Sequence, residues 1–335
     1  MRKPANVRAA FFGFRNRVRD VACGVSTVLG MATHSHAGTP HTHDGIDWMA
    51  RLSQLRKADE VDAPAAREVA ERLVGRTPPG ATVLDVGSGA GGMSVALVEA
   101  MSRHGGGRMV LVDATPELLE SAGELASKTA AEHGDAVSVE THLVDLADRD
   151  SLARVPKARL LWAANVVHHL PDQQQTLADL AGLLVPGGCL ALSEGGLPLR
   201  CLPWDIGVGE PGLHERLSAI QGAWFCKMRL DMPDAVAMPF GWNQALANVG
   251  LVGVTAFSYL IDRPAPATEP VLESVLNWLN WMRQIGDGQL TESDIDTVRR
   301  LLDENDPAYV GKREDVFLLT ARTVHLGWAP DPQPS

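Results

Sequence analysis

The segment Val83-Leu84-Asp85-Val86-Gly87-Ser88-Gly89-Ala90-Gly91-Gly92 contains the strongest structural signal in the chain. It reads as a buried strand that enters a glycine-rich turn, after which a helix begins at about Met93. The glycines permit positive φ angles and let the backbone approach a ligand closely. In open α/β sheets such turns lie at the carboxyl ends of the strands, where ligands bind. We therefore expect a ligand on this turn, and Asp85 favours a positively charged one over a pyrophosphate.

Strands and helices alternate on both sides of this segment. Near-continuous apolar strands between amphipathic helices are typical of a parallel sheet that is covered on both faces. The predicted strands of this part are 82–86, 109–113, 137–145, 160–164 and 189–194, and the predicted helices include 116–131 and 175–184. Before the first strand, Pro64 is predicted to start the second of two helices, because proline suits a first helical turn. The sequence thus predicts an α/β fold.

The composition restricts the class of protein. The chain has 335 residues, of which 45% are hydrophobic and 21% charged, so it can bury a core without disulfides or a structural metal. Its formal charge of -11 disfavours nucleic-acid and lipid-surface partners. Its apolar runs are shorter than the ~18 residues that a membrane span needs. Four cysteines without CxxC spacing fit a reducing compartment, and we predict a cytoplasmic protein.

The first 43 residues are expected to be a disordered tail or an incorrectly assigned start. Residues 1–30 are strongly basic, and their apolar run is too short and interrupted for a signal peptide. Four histidines lie between His34 and His43, but the polar segment around them offers no support for a metal ion. No metal site is predicted.

Five motifs in the expected order give the chain a family resemblance. Asp85-x-Gly87-x-Gly89-x-Gly91 resembles motif I of the class I S-adenosylmethionine (SAM) dependent methyltransferases. The further motifs are Asp113 with Ala114 after the second strand, Asp145-Leu146 after the third, Asn165-Val166-Val167-His168-His169-Leu170 after the fourth and Leu184-Val185-Pro186-Gly187-Gly188 before the fifth. The resemblance covers about residues 60 to 196 and predicts SAM as cofactor, with S-adenosylhomocysteine (SAH) as its product.

The resemblance also assigns roles within the cofactor site. It implies that Asp113 binds both ribose hydroxyls, and that the segment at Asp145 and Leu146 contacts the adenine. Asn165 and Val166 would line the methionine side. The glycine turn would hold the amino-acid end of the cofactor through Asp85, Gly87, Ser88, Gly89 and Gly91.

The fold that the resemblance implies is a seven-stranded Rossmann-like sheet with an antiparallel last strand and helical cap insertions. Segments 252–262 and 315–324 then become strands six and seven. The implied boundaries are 1–43 for the tail, 44–75 for N-terminal lid helices, 76–196 for the SAM-binding core, 197–240 for an acceptor insertion, 241–262 for a core helix and strand six, 263–312 for a helical insertion and 313–328 for strand seven.

Three residues are candidates for the chemistry at the acceptor. Methyl transfer from a sulfonium is a one-step displacement, so a base is needed only when the acceptor carries a proton at the attacking atom. In proteins that this chain resembles, the loop after the fourth strand borders the transferred methyl group. His168 and His169 are therefore candidate bases, since imidazole titrates near neutrality, and we prefer His168. Glu194, at the end of the fifth strand, is the third candidate.

The two insertions are expected to hold a small-molecule acceptor. Six of the eight tryptophans lie beyond the core motifs, and flat rings can stack there. We expect an aromatic or apolar acceptor, as for enzymes that tailor natural products. The segment 272–285 is apolar nearly all round, so it is predicted to be buried in the cap or against the second subunit of a homodimer.

Other functions fit parts of the sequence. A protein of this fold could use SAM for different chemistry, or could be a non-catalytic SAM-binding subunit. Gly87-x-Gly89-x-x-Gly92, with Asp113 about twenty residues further on, also satisfies the dinucleotide fingerprint, so an NAD(P)-dependent oxidoreductase is a minor alternative. Asp85 argues against it. The motifs do not distinguish an oxygen, nitrogen or carbon acceptor.

Overall fold

A seven-stranded sheet forms the centre of the structure, a computed structural model that describes residues 48–286 and 288–331, with the backbone alone for 48–51. Its strands are β1 (Thr82–Val86), β2 (Gly107–Asp113), β3 (Val137–Leu143), β4 (Ala158–Ala164), β5 (Leu184–Arg200), β6 (Val252–Arg263) and β7 (Leu318–Trp328). They lie in the order β3-β2-β1-β4-β5-β7-β6. The first five strands are parallel, and β7 runs antiparallel to both of its neighbours. The predicted sheet with an antiparallel last strand is confirmed.

Helices cover both faces of the sheet. They are α1 (Trp48–Val74), α2 (Gly92–Arg103), α3 (Pro116–Glu132), α4 (Arg149–Leu152), α5 (Gln173–Gly182), α6 (Leu213–Asp231), α7 (Trp242–Asn248), α8 (Glu269–Ile285) and α9 (Glu292–Leu302). Two adjacent residues of β1 are buried on opposite faces of the sheet, which explains why the strand is apolar throughout. Val83 belongs to the core beneath α1, α2 and α3, and Leu84 belongs to the core beneath α5 and α7. Both faces of the strand are therefore buried.

One continuous helix spans the described residues before β1, where two helices were predicted, so that prediction was wrong. Pro64 lies inside α1 rather than at the start of a second helix. Val61, Ala65, Val69 and Leu73 are all buried, and they follow one another at four-residue intervals across the proline. This uninterrupted apolar stripe stabilises one helix despite the cost of an interior proline, which is about 3 kcal/mol. The predictions for residues 1–43 and for the start of the lid at 44–47 lie outside the described residues.

The strand β5 is longer than predicted. It continues to Arg200, so the first residues of the predicted insertion at 197–240 belong to the sheet. Pairing with β7 explains the extension, because Gly196, Leu197 and Arg200 pair with Arg322, Ala321 and Leu319. A register shift between Ser193 and Gly196 interrupts this ladder just after Glu194. Such irregularities redirect side chains and are common beside functional sites.

The two predicted insertions form one cap with a common hydrophobic core. Leu213 and Leu217 of α6 pack in the same cluster as Trp278 and Leu279 of α8 and Leu301 of α9. The apolar face of α8 is thus buried within the chain. This helix therefore gives no argument for the predicted homodimer. Among the helices of the described residues, none is long and apolar enough to cross a membrane.

Candidate functional site

The glycine turn is fixed by backbone hydrogen bonds at the carboxyl end of β1. Gly87 N and Ser88 N donate to Val112 O at 2.7 and 3.2 Å, and Gly91 N donates to Ser88 O at 3.0 Å. Gly87 has a φ of 71°, and a Cβ atom there would lie 2.2 Å from Val166 Cγ2. A side chain at position 87 is therefore excluded, and the turn packs directly on the loop that follows β4.

Asp113 holds the same turn from the end of β2. Its Oδ2 accepts from Gly89 N at 2.9 Å, and its Oδ1 accepts from Thr115 N at 2.9 Å. Burial raises the pKa of this carboxyl, although the backbone N–H groups oppose the shift. These backbone bonds fix the carboxylate of Asp113 beside the glycine turn. Ala114 is exposed beside it.

Asp85 lies beneath the turn, where it is only 2% exposed. Ser94 Oγ, in the first turn of α2, donates to its Oδ2 at 2.6 Å. Burial is the main cause that raises the pKa of Asp85 to about 7; the bond from Ser94 opposes the shift, and the carboxylates of Asp113 and Asp59 contribute to it. A cation bound at the turn would favour the ionised carboxylate, which agrees with the expected charge of the ligand.

The buried carboxyl of Asp85 makes stability depend on pH. Its folded pKa lies above the unfolded value of about 3.9, so the stabilisation is fully present below about pH 4 and is lost as the pH rises through about 7. We expect Asp85→Asn, without ligand, to be more stable than the wild type by about 1 to 3 kcal/mol at pH 8, because the amide still accepts from Ser94. Urea unfolding at about pH 5 and pH 8 measures the difference. Equal pH dependence of both proteins would contradict this expectation.

The third motif lies beside Asp113, at the same edge of the sheet. Val144 N donates to Asp113 O at 2.9 Å, which brings the end of β3 next to β2. Asp145 Oδ1 accepts from Ala147 N at 2.8 Å, and Leu146 packs on the core beneath α5 and α7. Both residues are half-buried. Their contact with an adenine stays a prediction.

Two observations show that the turn suits a bound nucleoside. The Ser88 hydroxyl is buried and has no hydrogen-bond partner in the described part of the chain, a situation that costs free energy unless a ligand supplies one. At Gly89, whose φ is 55°, an added Cβ would meet nothing within 4 Å and would project into open space. The residues of the turn therefore fit the cofactor that the motifs predict.

Sequence reasoning missed one carboxylate at this turn. Asp59 of α1 accepts from Gly92 N at 3.0 Å, at the start of α2. Burial raises the pKa of Asp59 to about 6, although the bond from Gly92 opposes the shift. Nothing in the sequence distinguished this aspartate from the other charged positions of a long helix. It links the lid helix to the glycine turn.

The loop after β4 contains a histidine and glutamate pair. Glu194, 2% exposed, accepts with Oε1 from Val166 N at 3.1 Å and from Val167 N at 2.9 Å. Its Oε2 lies 2.6 Å from His168 Nδ1. The second ring nitrogen of His168, Nε2, makes no hydrogen bond within the described residues. A carboxylate on Nδ1 fixes the tautomer in which Nε2 has a free lone pair, which is the arrangement of a general base.

The other two candidates have different surroundings. Glu194 accepts hydrogen bonds from backbone N–H groups and from His168, so it can hold the imidazole in place. The ring centroid of His169 lies 3.9 Å from that of His168, but His169 does not line the cavity described next. The structure therefore brings together His168 and Glu194 and leaves His169 beside them.

A cavity of about 590 Å³ opens beside this pair. Its walls include Asn165, His168, Phe225, Arg229, Trp242 and Arg322. The ring of Phe225 meets the ring of His168 edge-on, with 5.5 Å between centroids. Asn165 follows β4 with a φ of 54°, a conformation that asparagine tolerates better than most residues. Asn165 lines the cavity, and the next residue, Val166, packs on Gly87, so the loop after β4 connects the cavity wall to the glycine turn.

Arg229 is the second residue that sequence reasoning missed. Its Nη1 donates to His168 O at 3.0 Å and to Leu170 O at 2.7 Å. These bonds tie α6 of the cap to the loop that carries the histidine. An isolated arginine in an insertion carries no motif, and only its spacing from Gln221 and Phe225, at i, i+4 and i+8, could have indicated a common face.

Comparisons with known proteins relate this chain to methyltransferases and polyketide synthases. The family described as a methyltransferase domain matches residues 84–190. The highly reducing polyketide synthase FUM1 of Gibberella moniliformis is 25% identical over 243 residues, which are 68% of this chain and 9% of the synthase. The trans-aconitate 2-methyltransferase of Methylobacterium radiotolerans is 31% identical over 186 residues, which are 51% of this chain and 62% of that enzyme.

A solved structure also resembles the chain. It is a SAM-dependent methyltransferase from Thiobacillus denitrificans in complex with S-adenosylhomocysteine, with 17% identity and a TM-score of 0.44. The alignment covers 83% of this chain and 98% of that protein. Among the curated relatives, the chain spans less than a tenth of the polyketide synthase and 62% of the trans-aconitate enzyme.

Proposed function

We propose that this chain, which contains a SAM-dependent methyltransferase domain of the class I fold, methylates a small organic acceptor and uses His168 to remove a proton from it. The methyltransferase-domain match over residues 84–190 and the sheet order support this domain type, and SAM is the cofactor that the motifs predict. The observation that carries the proposed activity is the His168–Glu194 pair in the wall of the cavity, which the loop after β4 connects to the glycine turn.

When bound, SAM supplies an activated methyl group on a sulfonium. The residues proposed to hold it are Asp85, Asp113, Ser88 and the backbone of the turn. Gly89 leaves room for it, and Asp59 fixes the turn from the lid helix. Asp145, Leu146, Asn165 and Val166 complete the proposed site. Alignment of donor and acceptor in a site that excludes water would provide much of the rate acceleration.

His168 is proposed to act on the acceptor. Its Nε2 accepts the proton from the attacking atom of the acceptor, while Glu194 stabilises the resulting imidazolium through Nδ1. Glu194 can do so because it is held by backbone N–H groups and stays in place. A base at His168 that is stabilised by Glu194 favours an acceptor whose oxygen, nitrogen or carbon bears a removable proton.

The acceptor is proposed to be a small molecule with an apolar or aromatic part. Phe225, Trp242 and Leu197 supply the apolar surface of the cavity. Similarity to polyketide synthases supports a place in natural-product biosynthesis, and the similarity to trans-aconitate methyltransferases supports a small-molecule acceptor. The described cysteines are unpaired, which supports a cytoplasmic location. A homodimer stays a prediction, which light scattering would test.

The experiment that tests this function follows a labelled methyl group. The purified chain is incubated with methyl-labelled SAM and a metabolite extract, and the products are separated and weighed by mass spectrometry. We expect label in one small-molecule product and SAH in equal amount. SAH binding without label transfer would contradict the activity and favour a non-catalytic subunit. A change in nicotinamide absorbance, without SAH binding, would favour an oxidoreductase.

A further inference from the structure

One face of the cap helix α6 gives the cavity an unbalanced positive charge. Gln221, Phe225 and Arg229 follow one another at four-residue intervals, and all three line the cavity. Residues at this spacing share one face of a helix. The cap therefore presents an amide, an aromatic ring and a guanidinium to the same space.

The charge of Arg229 has no partner within the described residues. Its guanidinium donates to the carbonyl oxygens of His168, Leu170 and Pro171 and to the sulfur of Met232. No carboxylate of residues 48–286 or 288–331 lies within ion-pair distance of it. Burial lowers the pKa of this guanidinium, and no neighbouring acid opposes the shift. A half-buried cation of this kind is stabilised by an anion that enters the cavity.

The other charged groups of the cavity are already paired. Glu194 interacts with His168, and Arg322 forms an ion pair with Asp62 of the lid helix. Arg229 is thus the charge that remains uncompensated among the described groups facing the cavity. Its Nε and part of Nη2 are not used by the bonds to the loop, so they can still donate.

Two amides add hydrogen-bond donors to the same wall. Gln173 lines the cavity and makes no side-chain hydrogen bond within the described residues, so its amide can donate into this space. Trp278 Nε1 donates to Gln221 Oε1 at 3.4 Å, which leaves the amide NH₂ of Gln221 as a donor. Guanidinium and amide donors in one cavity match the acceptor oxygens of a carboxylate.

We infer that the acceptor carries a carboxylate, bound by Arg229 with Gln173 and Gln221, while its apolar part lies against Phe225 and Trp242. The inference rests on the proposed function, since it takes this cavity as the acceptor site. It narrows the expected acceptor from an apolar molecule to an amphipathic organic acid. Arg229 then has two roles: it holds the loop that carries His168, and it determines the specificity for an acceptor with a carboxylate.

The test uses two probes of nearly equal shape that differ in charge, phenylacetate and phenylacetamide. Each is titrated into the full chain saturated with SAH, and binding is followed by calorimetry and by tryptophan fluorescence. We expect phenylacetate to bind at least about tenfold more tightly than phenylacetamide, because charge-assisted hydrogen bonds are stronger than neutral ones. Equal binding of the two probes, or no saturable phenylacetate binding up to about 10 mM, would overturn the inference.

Variants show whether Arg229 is the source of the preference. In Arg229→Gln the preference should disappear, and in Arg229→Lys, which keeps the charge, part of it should remain. Lys227→Gln is the matched control, because Lys227 lies on the same helix, is exposed and pairs with Asp231 away from the cavity. It should keep the full preference. A preference that persists in Arg229→Gln would overturn the assignment to this residue.

The outcome is independent of the test for methyl transfer. Phenylacetate selectivity without labelled product would support the carboxylate site and contradict the proposed activity. Labelled product without phenylacetate selectivity would support the activity and contradict the carboxylate site.

Discussion

His168→Asn is expected to lower the rate of methyl transfer by about 10² to 10⁴ while SAH affinity stays within about threefold of the wild type. Asparagine places an N–H donor near the position of the imidazole Nδ1, so it can keep the bond to Glu194 and the shape of the loop. It has no group that corresponds to Nε2 and cannot accept the proton. The rate of labelled-methyl transfer to the acceptor from the extract is the measurement, with calorimetry for SAH.

A second histidine and glutamate pair provides the control for this variant. His104 interacts with Glu71 on the surface, away from the cavity. His104→Asn should leave the rate unchanged. Glu194→Gln should lower the rate of methyl transfer, because the imidazolium loses its compensating charge. Its affinity for SAH should stay unchanged. If His168→Asn methylates at the wild-type rate, His168 is not the base.

Gly89→Ala is expected to weaken SAM and SAH binding by about 10-fold to 100-fold. The added methyl group would meet no protein atom within 4 Å, so it would project into the space assigned to the cofactor. Asp113 also binds the amide of this residue, so a shift of the backbone would disturb the proposed ribose contact. Calorimetric titration with SAH measures the loss.

Gly80→Ala separates this effect from backbone strain. Gly80 has a φ of 73° and also has nothing within 4 Å of an added Cβ, but it lies before β1, at the opposite end of the strand from the turn. Both alanine variants should lose about 1 to 2 kcal/mol of stability from the positive φ angle. Only Gly89→Ala should lose affinity. Equal SAH affinity in both variants would contradict the placement of the cofactor at this turn.

The sheet and the cofactor turn could be predicted because their signals are local. A strand buried on both faces needs a run of apolar residues, and the turn at Gly87 needs a residue without Cβ. Both requirements can therefore be recognised in a short stretch of consecutive residues. The same holds for Asp113 at the end of β2. The sequence also placed Glu194 and His168 at one edge of the sheet, since parallel strands end there together.

Long-range packing decided the features that were missed or wrong. The extension of β5 depends on its pairing with β7, more than a hundred residues away. The hydrophobic core of the cap brings Leu217 of one insertion together with Leu279 of the other. The sequence pattern of neither segment predicts that the two pack together. Whether Glu194 is a base or a positioning residue depends on which backbone amides reach it. No motif encodes that geometry.

The proposed roles all require the glycine turn to present SAM to the cavity that contains His168. A crystal structure of the chain with bound SAH would show whether it does. We predict that the ribose hydroxyls lie on Asp113, that the sulfur points past Asn165 into the cavity, and that His168 Nε2 faces the same space. A nucleoside bound elsewhere, or a sulfur separated from the cavity by protein, would contradict the claim.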